Sequence, residues 1–230
     1  MKKIAILTGA GISAESGVKT FRDAGGLWEG NNVMDVASPE GWAKNKELVL
    51  DFYYQRRRQL LEVEPNNGHL SLVELENKYN TIIITQNVDD LHERAGSSNI
   101  IHLHGELLKV RSTFDENLIY NWTKDLNLGD KCIEGYQLRP HIVWFGEAVP
   151  NLQLAIKEII TSDVMVIIGT SMQVYPAAGL VSVLPKACPI FYIDPNPNIS
   201  FELSIASNLT VIKEPATTGV RKVVDILLDL

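Results

Sequence analysis

Lys3-Ile4-Ala5-Ile6-Leu7-Thr8-Gly9-Ala10-Gly11-Ile12-Ser13-Ala14 decides the fold of this chain. Ile4–Leu7 is an unbroken apolar run, the pattern of a strand covered on both faces in a parallel sheet between helix layers. Gly9, Gly11 and Ala14 then fit G-x-G-x-x-A, the turn between first strand and first helix of a dinucleotide-binding unit. In that turn Gly9 permits the tight bend, Gly11 lets backbone approach a pyrophosphate, and Ala14 lets helix and strand pack closely. The helix N-terminus beyond favours negative phosphates. A purely structural glycine turn uses the same residues; a strand before and a helix after favour the nucleotide reading.

Outward from this stretch, further β-branched runs lie at Thr81–Thr85, Ile100–Leu103, Ile142–Phe145, Val164–Ile168, Ile190–Ile193 and Leu209–Ile212. Helical patterns fall between them at Lys46–Glu64, Gly68–Lys78, Leu152–Thr161, Ala177–Leu184 and Gly219–Leu228. This alternation predicts an α/β fold, a Rossmann-like doubly wound parallel sheet. Two stretches break it. One, 27–65, holds a long helix instead of a simple crossover; the other, 107–140, is polar and poor in apolar periodicity. They are read as two insertions forming a small second module beside a nucleotide-binding domain of residues 1–26, 66–106 and 141–230.

The chain has 230 residues, 45% hydrophobic and 21% charged, which excludes dominant disorder. Its 21 Lys and Arg against 28 Asp and Glu give a net charge of −7. That balance disfavours nucleic acid and anionic membrane as partners; Arg56-Arg57-Arg58 is the one run suggesting a basic patch. Two cysteines, Cys132 and Cys188, support neither a disulfide framework nor a four-cysteine zinc site. With no apolar stretch of membrane-spanning length and no signal-peptide pattern, a cytoplasmic location is expected.

An ordinary dehydrogenase needs a second strand soon after the glycine loop, ending in an acidic residue ~20 positions on. Phe21-Arg22-Asp23-Ala24-Gly25-Gly26 stands there instead, so hydride transfer loses ground. Gly9-Ala10-Gly11-Ile12-Ser13-Ala14-Glu15-Ser16-Gly17 running on to Thr20-Phe21-Arg22 closely resembles the signature of the sirtuins, the NAD-dependent protein lysine deacylases. Four more segments match in order: Thr85-Gln86-Asn87-Val88-Asp89 with Leu91-His92; His102-Leu103-His104-Gly105; Val143-Trp144-Phe145-Gly146-Glu147; and Gly169-Thr170-Ser171 with Val174-Tyr175-Pro176-Ala177. The resemblance covers almost the whole chain apart from Val110–Arg139.

Asn87 and Asp89 follow an apolar run, at the carboxyl end where open α/β sheets bind ligands. Read locally, they could equally form a turn. The resemblance assigns Gln86, Asn87 and Asp89 to the nicotinamide and ribose of NAD, with Ala10, Ala14, Glu15, Phe21 and Arg22 lining the same cleft and Arg22 near phosphate. Gly169, Thr170 and Ser171, then Asp194 and Asn196, would hold the adenosine half, and Ala216 would touch adenine through backbone. The family commonly has Asn where Asp194 stands.

His104 precedes Gly105, and an imidazole with a pKa near ~6.5 suits a general base. His102 is the decoy, two residues away and on the same side of a continuing strand. The resemblance selects His104 and implies a metal-free reaction: the acyl oxygen attacks the ribose carbon, nicotinamide leaves, water enters, and free lysine and O-acyl-ADP-ribose result. It places Asn87 beside that chemistry. Val143, Phe145, Gly146 and Glu147, with Val174 and Tyr175, would hold an acylated lysine side chain of a protein or peptide as an added strand.

Tyr53 and Arg56 are three apart in a helical pattern and share a face. A solvated arginine face is the default reading. Phe-Tyr-x-x-Arg resembles class III sirtuins, in which Tyr and Arg bind an acidic acyl group. A guanidinium can grip a carboxylate bidentately, and Ala37 would leave room for the chain. Succinyl and malonyl groups are therefore expected substrates, with acetyl as a smaller one. One departure stands out: sirtuins usually carry four zinc-binding cysteines, whereas only Cys132 lies in the corresponding region, with His141 nearby. No zinc is expected; Leu118, Tyr120, Trp122 and Tyr136 would hold the module by packing. The competing functions are NAD glycohydrolysis or mono-ADP-ribosyl transfer on the same fold, and an inactive NAD or ADP-ribose-binding module.

Overall fold

The computed structural model describes residues 1–19, 27–28 and 30–230, and of Leu27 and Trp28 the backbone alone. In chain order the elements begin β1 (Lys3–Thr8), α1 (Gly11–Ala14), β2 (Leu27–Trp28), β3 (Asn31–Asn32), α2 (Val33–Val36), α3 (Pro39–Lys44), α4 (Lys46–Glu62) and α5 (Asn67–Val73). They continue with β4 (Asn80–Thr85), α6 (Leu91–Ala95), β5 (Ile100–His102), β6 (Gly105–Ser112), β7 (Ile119–Asn121) and β8 (Leu138–Ile142). The last are α7 (Leu152–Ile159), β9 (Val164–Ile168), β10 (Ile190–Ile193), α8 (Phe201–Ser204), β11 (Leu209–Ile212) and α9 (Ala216–Asp229).

Six strands form a parallel sheet in the order β11-β10-β9-β1-β4-β5. Counted along the chain among themselves and read from the β5 edge, they run 3-2-1-4-5-6, the doubly wound arrangement, whose order reverses at β1 beside β9. The apolar run in β1 follows from this position. Ile4 and Ile6 pack into the core under α5 and α9, while Ala5 and Leu7 enter the core on the opposite face. Each fully buried isoleucine or leucine contributes about 1.5–3 kcal/mol, so central strands are apolar on both sides.

A third core joins α4 to an antiparallel sheet ordered β7-β6-β8. Phe52, Tyr53 and Leu60 of α4 pack there with Leu107 and Val110 of β6, and with Trp144. Leu118, Tyr120 and Trp122 lean on the same core; Tyr136 is exposed and stacks on Phe114, ring centroids 4.3 Å apart.

Three sequence readings are corrected. The strand expected at Ile142–Phe145 ends at Ile142; the apolarity beyond it serves Trp144, which is buried against Trp42 and under the Arg139 guanidinium rather than in a ladder. The segment Ala177–Val183 is a 3-10 helix, not α, and the Gly68–Lys78 pattern splits into α5 and a 3-10 turn at Glu74–Asn77. The eight-residue strand β6 runs from Gly105 into the stretch read as poor in apolar periodicity.

Candidate active site

The glycine loop sits where the strand order reverses. Gly9 N donates to Ile168 O at 3.0 Å and Gly11 N to Gly169 O at 2.8 Å. Gly169 has φ +59°, and a Cβ there would lie 2.4 Å from Ile12 N. The close backbone approach that Gly11 permits is therefore to Gly169, and its amide is committed inside the protein. Two glycines facing each other draw the carboxyl ends of β1 and β9 together. The carbonyl of Thr170, a buried residue, accepts from the Tyr192 hydroxyl at 2.8 Å, and the Ser171 carbonyl accepts from Asn198 Nδ2 at 3.1 Å.

Gln86, Asn87 and Asp89 leave the neighbouring carboxyl end, that of β4. Gln86 Nε2 reaches Thr170 Oγ1 at 2.9 Å, closing a bridge over β1. Asn87 and Asp89 are buried and meet at Ser13 of α1. Ser13 Oγ donates to Asp89 Oδ2 at 2.9 Å and accepts from Asn87 Nδ2 at 3.1 Å. His69 Nδ1 accepts from Asn66 N at 3.3 Å, which puts its proton on Nε2, 3.4 Å from the Ser13 oxygen. One hydroxyl thus gives its single proton and fills both lone pairs. Burial pushes Asp89 up to about 6, against the Ser13 bond that pulls it down. Burial also takes His69 down to about 4, so its ring is neutral.

His102 and His104 face the loop from β5 and just beyond it. His104 Nδ1 lies 2.9 Å from Gln86 O. It must carry the proton there, leaving Nε2 as the basic atom. Burial holds His104 below an ordinary imidazole, partly offset by that bond. Gly105 has φ +84°, and a Cβ would fall 2.1 Å from His141 O. Glycine is required after His104 for β6 to meet β8 so closely.

The adenosine-side residues are partly committed elsewhere. Asp194 Oδ1 accepts from Asn196 N at 2.8 Å in a local turn. Glu15 is exposed, and its carboxylate receives Thr217 N at 2.9 Å and Thr217 Oγ1 at 2.6 Å. It ties the glycine-loop helix to the first turn of α9, where its charge is favourable. Ala216 is buried. Ala14 is exposed. Phe21 and Arg22 lie outside the described residues.

On the other side, Val143 N donates to His104 O at 2.9 Å and Phe145 N to Ala37 O at 2.9 Å. Those two amides are committed within the chain, and Gly146 (φ +90°) turns it back. The Glu147 carboxylate accepts from Arg139 at 2.7 and 3.1 Å, Arg111 at 3.3 Å and Trp144 N at 2.8 Å. Burial opposes its charge, but Arg139 and the Trp144 amide hold its pKa below the usual range. Tyr175 is exposed, and Val174 O accepts from Ala178 N at 2.9 Å.

The three arginines of α4 diverge, so no basic patch forms from them. Arg58 pairs with Asp125 at 2.9 Å. Arg57 is buried, donates to Leu107 O at 3.1 Å and is lowered by burial to about 10. Arg56 donates to Phe52 O at 2.6 Å and lies over the Phe52 ring. Tyr53 is buried, receives Trp144 Nε1 at 3.0 Å, and is pushed well above its ordinary pKa by burial, against the charges of Arg139 and Arg56. Ala37 is buried in the same core.

The Sir2 family model matches residues 9–176, which span every one of these features up to β9 and its loop. The chain belongs to the Sir2 family. It is 57% identical over 230 residues to a Helicobacter pylori "NAD-dependent protein deacylase", covering 100% of this chain and 99% of that protein. A crystal structure of a Sir2 homologue with NAD superposes with a TM-score of 0.88 at 37% identity, covering 99% of this chain and 90% of that one. A Sir2 complex with a p53 peptide and NAD+ gives 0.80 at 29% identity, covering 99% and 94%.

The zinc module of the Sir2 family does not fit the donors present. Cys132 is buried, and a hydrogen bond with Ser112 lowers its thiol pKa. Cys188 belongs to a different core. One thiolate does not make a tetrahedral site. Among the described residues, Glu93, His102 and Glu106 bring three possible ligand atoms within 4.8 Å of one another. Each already has a protein partner: His102 bonds Glu93 at 2.7 Å, and Lys109 bonds Glu106 at 2.7 Å. The NAD side fits better, because a buried polar cluster lies at the carboxyl edge where the sheet order reverses. Ser13, His69 and His92 were not singled out as site residues from the sequence. Ser13 sits inside the glycine motif, but nothing local marks His69 or says that His92 Nε2 will meet Thr8 Oγ1 at 3.1 Å.

Proposed function

We propose that this chain is an NAD-dependent protein lysine deacylase that removes succinyl and malonyl groups, and acetyl as a smaller substrate. The observation that carries the acyl choice is the meeting of Tyr53 and Arg56 on one face of α4, beside Trp144 and Ala37. A guanidinium and a phenol at the end of an apolar wall suit an acyl chain ending in a carboxylate.

Bound NAD supplies the ribose carbon to which the acyl oxygen is joined as nicotinamide leaves. Asn87 and Asp89 would hold the nicotinamide end, oriented by Ser13. Gly169, Thr170, Ser171, Asp194 and Asn196 would face the adenosine half. His104, protonated on Nδ1 by its bond to Gln86 O, would take a ribose hydroxyl proton at Nε2. Its lowered pKa keeps that atom unprotonated at neutral pH, free to accept the proton. Val143, Phe145, Gly146 and Tyr175 would line the lysine's approach. Glu147 would act through Arg139 and Trp144, by holding this segment in place.

In this reading the insertions 27–65 and 107–140 act as the substrate-side module, zinc-free, and the setting is cytoplasmic. Among the described residues no helix is long and apolar enough to cross a membrane.

The test is mass spectrometry of succinyl-, malonyl- and acetyl-lysine peptides with NAD. Loss of the acidic acyl group with nicotinamide release supports the reading. Nicotinamide release with no acyl loss replaces it with NAD glycohydrolysis or ADP-ribosyl transfer.

A further inference from the structure

His102 has an acceptor at both ring nitrogens. Nδ1 lies 3.2 Å from the Asn87 carbonyl and Nε2 lies 2.7 Å from Glu93 Oε1. A neutral imidazole has one N–H and can satisfy only one of them; the doubly protonated ring satisfies both. His104, two residues on, has a single such acceptor among the described residues, the Gln86 carbonyl. The two histidines therefore hold consecutive carbonyls of one loop, His102 with a second acceptor behind it.

We propose that His102 is a positioning residue for the nicotinamide pocket, clamping the Asn87 carbonyl to the Glu93 carboxylate and so fixing how Asn87 and Asp89 are presented. The inference rests on the proposed placement of nicotinamide at Asn87. The Asn87 side chain leaves the same residue whose carbonyl His102 holds, and it ends on Ser13 Oγ at 3.1 Å. Asn87 N is held by Thr85 Oγ1 at 3.0 Å. Without His102, the amide is anchored and the carbonyl is not, so the peptide plane and the side chain on it can rock.

The surroundings favour the charged ring. Glu93 faces it from α6, Glu106 from β6, and Asp89 and Asp90 from the loop between. His92 on α6 opposes it but is itself held neutral by burial. Lys109 neutralises part of Glu106. Burial works against the charge; the Glu93 bond and the surrounding carboxylates outweigh it, and His102 titrates above an ordinary imidazole. The clamp is thus intact on the acid side and opens as pH rises through that raised value. His104 is lowered and Asp89 lies near 6, so neither titrates on that alkaline side.

The experiment is calorimetric binding of NAD and of ADP-ribose, which lacks nicotinamide, from about pH 6 to about pH 9, with wild type, Glu93→Gln, His102→Gln and Asn87→Ala. Wild type should lose NAD affinity several-fold on the alkaline side, while ADP-ribose binding stays flat. Glu93→Gln keeps a hydrogen-bond acceptor but removes the charge, and should move that transition down by about one pH unit. His102→Gln should remove it. A Glu93→Gln profile superimposed on wild type, with Asn87→Ala weakening NAD, overturns the clamp alone. If Asn87→Ala leaves NAD affinity unchanged, the placement of nicotinamide fails and the clamp's purpose with it. Circular dichroism of each variant separates either result from misfolding.

Discussion

The Ser13 hydroxyl donates its one proton to Asp89 Oδ2 at 2.9 Å, across 76 residues of chain, inside a pocket where Asp89 is buried. That bond and the one from Leu91 N to Asp89 Oδ1 at 3.3 Å are what the carboxylate has in place of water. Together they do not fully compensate, since burial still raises Asp89 to about 6. A carboxyl with a raised folded-state pKa contributes most below its unfolded pKa of ~3.9. That contribution is lost as pH rises through about 6.

Asp89→Asn should therefore raise stability near neutral pH, by about 1–3 kcal/mol, and leave it little changed at about pH 4. NAD affinity should fall in the same variant. Urea melts at the two pH values decide it; an equal gain at both would show that ionisation of Asp89 is not the cause.

His104→Ala should lower kcat by ~10³-fold while NAD still binds. Because burial lowers the His104 pKa, the wild-type kcat/KM should be flat at neutral pH and decline only below about 6.5. A decline already present at higher pH would assign the limb to another group.

Arg56→Met should cost desuccinylation ~100-fold and deacetylation only a few-fold, since hydrogen bonds to a charged group are worth about 1.5–3 kcal/mol. Side-by-side kcat/KM values on succinyl- and acetyl-lysine peptides test this. Equal losses would remove the acyl-pocket assignment, and leave Arg56 as a support for Phe52 and its turn of α4.

Glu147→Gln should destabilise the fold by roughly 2–4 kcal/mol, because Arg111 and Arg139 would share a partly buried site with no counter-charge. Denaturant melts read the loss directly. A variant with wild-type stability and a raised peptide KM would instead make Glu147 a substrate contact.

Gly169→Ala should cost about 2–4 kcal/mol, from a strained φ of +59° together with overpacking against Ile12 N. A melting temperature within a degree or so of wild type would mean that the two strand ends are not held by this contact.

Read alone, the sequence determined the parallel sheet, the glycine loop at its centre, and the places of Asn87, Asp89 and His104 at strand ends. Those signals are local: an apolar run long enough to be buried on both faces, a turn that needs glycine, a polar residue just after a strand. Tertiary structure decided the rest. It made Ile142–Phe145 a strand end plus a buried tryptophan, because Trp42 and Arg139 enclose Trp144. It sent Arg56, Arg57 and Arg58 to Phe52, Leu107 and Asp125. Among the described residues it gave His102 two acceptors and His104 one. Protonation and partnership depend on which atoms other segments bring within about 3 Å, and no spacing along the chain encodes that.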